Sequence, residues 1–172
     1  MDSLADELWK WLQRYVRDKF NGELDALRKK REKDRSALSE DRLARGFGLI
    51  LDPLDPQFDE VEVEHFKAEL QVYMEAWLEA YKVKGLTPDD RIWKELGSFK
   101  QQTLDARTMS LRQTATGRAN RAGRNSAPGI ARAEALGQEL GRSSHAFMKL
   151  LHCEFEKRKN MKQSRPISGF SR

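Results

Sequence analysis

Leu4, Leu8, Trp11, Leu12, Tyr15, Val16 and Phe20 recur at helical spacing and predict a first helix. Ser3 with Asp6 reads as an N-cap followed by an acid in the first turn, and Asn21-Gly22 reads as the stop. A second helix is predicted from Glu23 to about Arg45, with an unusual centre. Between Leu27 and Ala37 there is no apolar residue, only Arg28-Lys-Lys-Arg-Glu-Lys-Asp-Arg-Ser36. Every face of that stretch is polar, so it must turn to solvent or to a charged partner.

The segment from Gly46 to Gln57 reads as a loop, because Pro53 and Pro56 each disfavour helix at the residue before them. A third helix runs to about Lys84. Phe66, Leu70, Tyr73, Trp77 and Tyr81 form its apolar face, widened by Met74 and Leu78, and Gly85 closes it. Thr87-Pro88-Asp89-Asp90 is a strong helix start, with Thr87 as N-cap and Pro88 in the first position. Ile92, Trp93 and Leu96 give this helix an apolar edge, with Gly97 a point of interruption before 99–111. A glycine- and arginine-rich segment, Gly117 to Gly129, follows, and Ser126-Ala-Pro128 caps a last long helix from about Gly129 to Asn160. Residues 161–172, with Pro166 and Gly169, read as an extended tail. The expectation is an all-α, antiparallel bundle of four to five helices in one domain, 1–160, with a basic Gly/Arg-rich loop before the last helix.

Composition adds a bias toward anionic partners. Of 172 residues 38% are apolar and 34% charged, the net charge is +5, and the pI is near 9.4. Four Trp, three Tyr and eight Phe argue against global disorder. The placement of charge says more than its sum. From Lys100 to Arg132, seven cations face Asp105 alone, a net of +6; from Asp52 to Glu69, seven acids face Lys67 alone, a net of −6. Opposed blocks of equal size can pair within one subunit or between neighbouring copies.

Within the basic block, Arg118, Arg121 and Arg124 recur at every third residue among glycines, with no Asp, Glu or large apolar side chain from 117 to 129. Forked cationic donors in that setting suit a phosphate backbone. Together with Arg107, Arg112 and Arg132 they form the candidate nucleic-acid-binding set. The plainer alternative is a cationic surface loop without a ligand. No aromatic residue lies in the segment, so sequence-independent backbone contact is the expected mode. On the last helix, Ala133, Gly137 and Gly141 are spaced by four. Glycine costs about 1 kcal/mol in a helix interior, so another backbone is expected to approach closely there, from the same chain or from a second subunit. Leu136, Leu140, Phe147, Leu151 and Phe155 supply core on another face.

Other chemistries find little support. Cys153 is the only cysteine, which fits a reducing compartment and reads as a packed thiol. His65, His145 and His152 are too scattered for a metal site. Glu60, Glu62 and Glu64 alternate near a helix start, where they favour its positive end rather than hold Mg²⁺. No GxxxxGK[ST], GxGxxG or GxSxG pattern occurs. The expectation is a non-enzymatic protein with no cofactor, no metal and no small-molecule substrate. The acidic start lacks the features of a signal peptide, and the longest apolar run, Phe47 to Leu51, is too short for a bilayer, so a soluble, cytoplasmic protein is expected.

Three short elements, Gln57-Phe58-Asp59, Thr103-Leu-Asp-Ala-Arg107 and Phe155-Glu156-Lys157, together resemble coat proteins of rod-shaped plant RNA viruses of the tobamovirus and tobravirus class. Length and bundle architecture are also similar. The resemblance implies RNA held in a groove between helically stacked copies, arginines on phosphates with Asp105 close by, and a place in a virion. The leading expectation is therefore an RNA- or single-strand-binding protein that forms a homo-oligomer. The competing one is a protein-interaction scaffold using the charged 23–45 helix and the apolar third helix.

Overall fold

The structure, a computed structural model, describes residues 4–48, 52 and 54–163. The described residues form an all-α bundle of four helices: α1 (Leu4–Ala44), α2 (Asp59–Val83), α3 (Asp90–Arg121) and α4 (Ala127–Gln163), with a 3₁₀ turn, Pro56–Phe58, before α2. No strand occurs among the described residues.

Each helix runs antiparallel to its predecessor. Trp9 near the start of α1 stacks on Trp77 near the end of α2, with ring centroids 5.0 Å apart, whereas Arg31 far along α1 meets Glu62 at the start of α2. Phe99 of α3 stacks on Tyr73 of α2, and Trp93 of α3 meets His152 of α4. α2 is the spine. Its Phe66, Leu70, Met74 and Trp77 are buried at the centre of a core completed by Leu12 and Val16 from α1 and by Leu136 and Leu140 from α4. Burying side chains of this size contributes about 1.5–3 kcal/mol each.

The predicted break at Asn21-Gly22 does not occur; α1 is one helix of 41 residues. A glycine ends a helix by turning left-handed, and Gly22 keeps helical geometry, as the positive-φ glycines are Gly46, Gly85 and Gly123. The cost of about 1 kcal/mol for glycine in a helix is outweighed because α2 lines both halves. The polar stretch 28–36 finds its charged partner inside the chain, as Arg31 and Arg35 both reach Glu62. α1 instead stops at Gly46, where Phe47 N–H donates to the Arg42 carbonyl at 3.0 Å.

Gly85 closes α2 as expected, at φ +67. The N-cap of α3 is Asp89, two residues beyond the expected Thr87. Its carboxylate accepts from Arg91 N–H at 2.9 Å and from the Tyr81 hydroxyl at 3.1 Å, tying the cap to α2. Gly97 does not interrupt α3. At its far end α4 continues through Gln163, three residues into the expected tail. Ser3, Pro53 and residues 164–172 lie outside the described residues.

Asp52 accepts from Leu54 N–H at 2.9 Å, and Leu54 is buried with Ala115 of α3 and Ala133 of α4. Leu54 therefore covers the end of the bundle where α3 and α4 join.

Candidate nucleic-acid interface

The Gly117–Gly129 segment is not a long loop. Residues 117–121 form the last turn of α3 and 127–129 the first turn of α4, leaving a turn of five residues between them. Gly117 has no reason to break the helix, with open space beside it and ordinary φ. Gly123 makes the reversal at φ +60, and Arg124 N–H donates back to the Ala119 carbonyl at 2.9 Å. Asn125 then starts α4 by accepting from Ala127 N–H at 2.9 Å.

Four of the six arginines singled out by the sequence have partners within the chain. Arg118 pairs with Asp52, Arg132 pairs with Asp59 and donates its Nε–H to the Leu54 carbonyl at 2.9 Å, and Arg112 pairs with Glu134. Arg107 is the deepest of them. Its guanidinium meets Glu69 Oε2 at 2.8 Å, His65 Nδ1 at 2.8 Å and Glu62 Oε2 at 3.5 Å, over the Phe66 ring. Asp52, Asp59, Glu62 and Glu69 all belong to the acidic block, so the two opposed blocks meet within one subunit. Arg121 and Arg124 are different. Both are exposed, and neither has a carboxylate partner among the described residues. The structure thus gathers Arg118, Arg121 and Arg124 at one turn, and takes Arg107 and Arg112 back along α3.

Around Arg107 the charges are held away from water. The side chains of Glu69 and His65 are only 8% and 5% exposed. Since Arg107 donates to Nδ1, the neutral ring carries its proton on Nε2, which is buried without a hydrogen-bond partner. Burial, then the nearby Arg107 and Arg31 guanidinium groups, push the His65 pKa down to about 4, against a weak opposite pull from the Leu27 carbonyl.

The close approach permitted by Ala133, Gly137 and Gly141 is made by α3 of the same chain. A Cβ on Gly137 would lie 2.6 Å from Thr108 Oγ1, one on Gly141 would lie 3.5 Å from Leu104, and Ala133 is buried against Ala115. The three short elements behind the coat-protein resemblance fall at separate places. Asp105 is exposed and accepts from Gln101 at 2.9 Å, Arg107 faces α2, and Phe155 is buried in the core.

Cys153 is exposed, not packed, because it falls on the solvent side of α4 opposite Leu151 and Phe155. Glu62 and Glu64 diverge, the former to arginines of α1 and α3 and the latter to Lys67 at 2.7 Å. Among the described residues no group of His, Cys, Asp and Glu could hold a metal ion, and no helix is long and apolar enough to cross a membrane.

One feature lay in the sequence unread. Lys10, Arg14 and Arg17 are spaced by four and three, so they share a face of α1 beside Phe20. That face borders a groove of about 640 Å³ between α1 and α3, floored by Tyr73 and Trp77 of α2 and walled by Phe99 and Glu95. Recognising it required knowing that α1 and α3 would flank α2 without closing over it.

No protein-family model matches the chain, and no curated protein or solved structure matches it either.

Proposed function

We propose that the protein is a non-enzymatic, sequence-independent nucleic-acid-binding protein, with single-stranded RNA its favoured ligand, that self-associates in the manner of a coat or nucleocapsid protein. The contact is the α3–α4 turn. What carries the reading is the exposure of Arg121 and Arg124 on a turn held by Gly123, without carboxylate partners among the described residues, next to cations that are already neutralised.

Magnitudes explain why self-association belongs with this reading. Two phosphate contacts give a salt slope of only about 1.4 on a single strand, too little for stable binding by one copy. Several copies on one strand multiply that weak contact through effective concentration. Arg118 and Arg112, half-exposed in surface ion pairs worth about 0–1 kcal/mol, can exchange their carboxylates for phosphates at small cost.

The test is a mobility-shift titration at low salt with unstructured single-stranded RNA and DNA. Retardation that disappears in the Arg121→Ala/Arg124→Ala variant supports the reading. No retardation of either strand at low salt ends it. Light scattering with and without RNA reads the accompanying self-association.

A further inference from the structure

The groove between α1 and α3 has the makings of a second site. It is large enough for a small ligand, since binding pockets commonly span roughly 300–1,000 Å³. Its lining is aromatic from floor to wall: Tyr73 and Phe99 stack with centroids 4.0 Å apart at 9°, and Phe20 stands edge-on to both. Its α1 rim is cationic. Arg14 is exposed with no ion-pair partner among the described residues, and Arg17 has only its neighbour Asp18, at 3.8 Å. Glu95 is the only acid on the lining.

An independent observation lies at the floor. Trp77 is 1% exposed, and its indole Nε1–H has no hydrogen-bond partner. Buried tryptophans ordinarily find an acceptor, and leaving a donor unmet costs about 1–3 kcal/mol. Beside it, burial holds the Tyr73 phenol above its ordinary range, while the Trp77 indole N–H, close to the phenol oxygen but without the geometry of a full hydrogen bond, pulls in the opposite sense. Aromatic faces, a buried indole donor without a full hydrogen bond on the lining and guanidinium groups at the rim match one ligand class: a flat ring that carries acceptors and is joined to an anion.

We infer that this groove binds a nucleotide unit, its base against the Tyr73–Phe99 pair and its phosphate on Arg14 and Arg17. Stacking of a base on aromatic side chains is worth about 1–3 kcal/mol and tolerates any base. An acidic peptide satisfies the rim but leaves the aromatic floor unused. The site is separate from the turn: Phe99 and Arg121 are 22 residues apart on α3, about 33 Å at the rise of a helix. The inference therefore does not rest on the turn.

Adenosine monophosphate, ribose 5-phosphate, a tetranucleotide of RNA and an acidic tetrapeptide are titrated against the full chain, with tryptophan emission and the indole N–H resonances as readouts. Adenosine monophosphate or the tetranucleotide is expected to quench emission and shift the Trp77 indole signal, while ribose 5-phosphate does not. Equal affinity of the two identifies a free nucleotide as the ligand; roughly tenfold tighter binding of the tetranucleotide identifies a residue of a strand. Arg14→Glu/Arg17→Glu, both on the surface, weakens binding at least about tenfold with an unchanged melting curve. Arg121→Ala/Arg124→Ala leaves the adenosine monophosphate titration intact, so failure at the groove and failure at the turn are told apart. The inference is overturned if neither nucleotide moves the Trp77 signal at millimolar concentration, if ribose 5-phosphate or the peptide binds as well, or if the groove variant binds normally.

Discussion

The Arg107 guanidinium on α3 lies 2.8 Å from the Glu69 carboxylate on α2, and neither side chain is more than 15% exposed. A cation that the sequence offers to a polyanion is thus committed to the interior. Removing it leaves the buried Glu69 without its cation, while Glu62 keeps Arg31 and Arg35. Arg107→Ala is expected to destabilise the fold by about 3–5 kcal/mol, read by urea unfolding. The fraction that remains folded should keep its affinity for single-stranded RNA.

His65 makes stability depend on pH. Its folded pKa, about 4, lies below the ordinary 6.5, so above pH 6.5 both folded and unfolded chains hold it neutral and its full contribution is present. As pH falls from 6.5 toward 4 the unfolded state takes up a proton that the folded state refuses. Stability is lost through that window, by about 3 kcal/mol at most. Most carboxylates titrate lower, so the loss between pH 6.5 and 5 belongs to the ring. Thermal melts across this range should show it in the native chain and a flatter profile in His65→Gln.

Gly137→Ala should destabilise, against the usual helix preference for alanine. The new Cβ would meet Thr108 Oγ1 at 2.6 Å and its Cγ2 at 3.0 Å, and rotating a β-branched side chain exchanges one collision for the other. A loss of about 1–3 kcal/mol is expected. Thr108→Ala should restore most of it in a double-mutant cycle. Gly141→Ala, in ordinary contact with Leu104, should be neutral or gain up to about 1 kcal/mol.

Two glycines of the basic segment should respond in opposite directions. Gly117 is helical with open space beside it, so Gly117→Ala should stabilise by about 0.5–1 kcal/mol. Gly123 sits at φ +60, and Gly123→Ala should cost about 1 kcal/mol. Melting curves of the two variants should shift on either side of the native chain.

The salt dependence of binding should also separate the arginines. Arg121→Ala alone should lower the slope of log K against log salt by about 0.7 on single-stranded RNA. Arg132→Ala should leave the slope unchanged and lower the melting temperature, because that side chain holds Leu54 and Asp59.

The helices of this chain were legible wherever an apolar stripe ran unbroken. The α2 face from Phe66 to Tyr81 is such a case, and so is Gly85 as its stop. The merging of α1 was not legible, because Gly22 ends a helix or continues it according to what packs alongside, and α2 is far away in sequence. The fate of the arginines was hidden for the same reason. Arg118 and Asp52 are 66 residues apart, and only the fold brings the opposed charge blocks together. Arg121 and Arg124 kept the exposure expected of them because Gly123 turns the chain between them. The α1–α3 groove needed both the register of Arg14 and Arg17 and the position of Phe99, which no local pattern supplies.

Asp52 and the residues from Leu54 to Asp59 depend on the rest of the bundle for their seat. Leu54 rests on Ala115 of α3 and Ala133 of α4, so its seat does not exist until those two helices have paired. Neighbouring helices close short loops and form early, whereas the contacts of this stretch span 66 to 78 residues. Contacts of such span are expected to form after the local helix pairs, and hydrogen exchange should show this stretch opening more readily than the four helices.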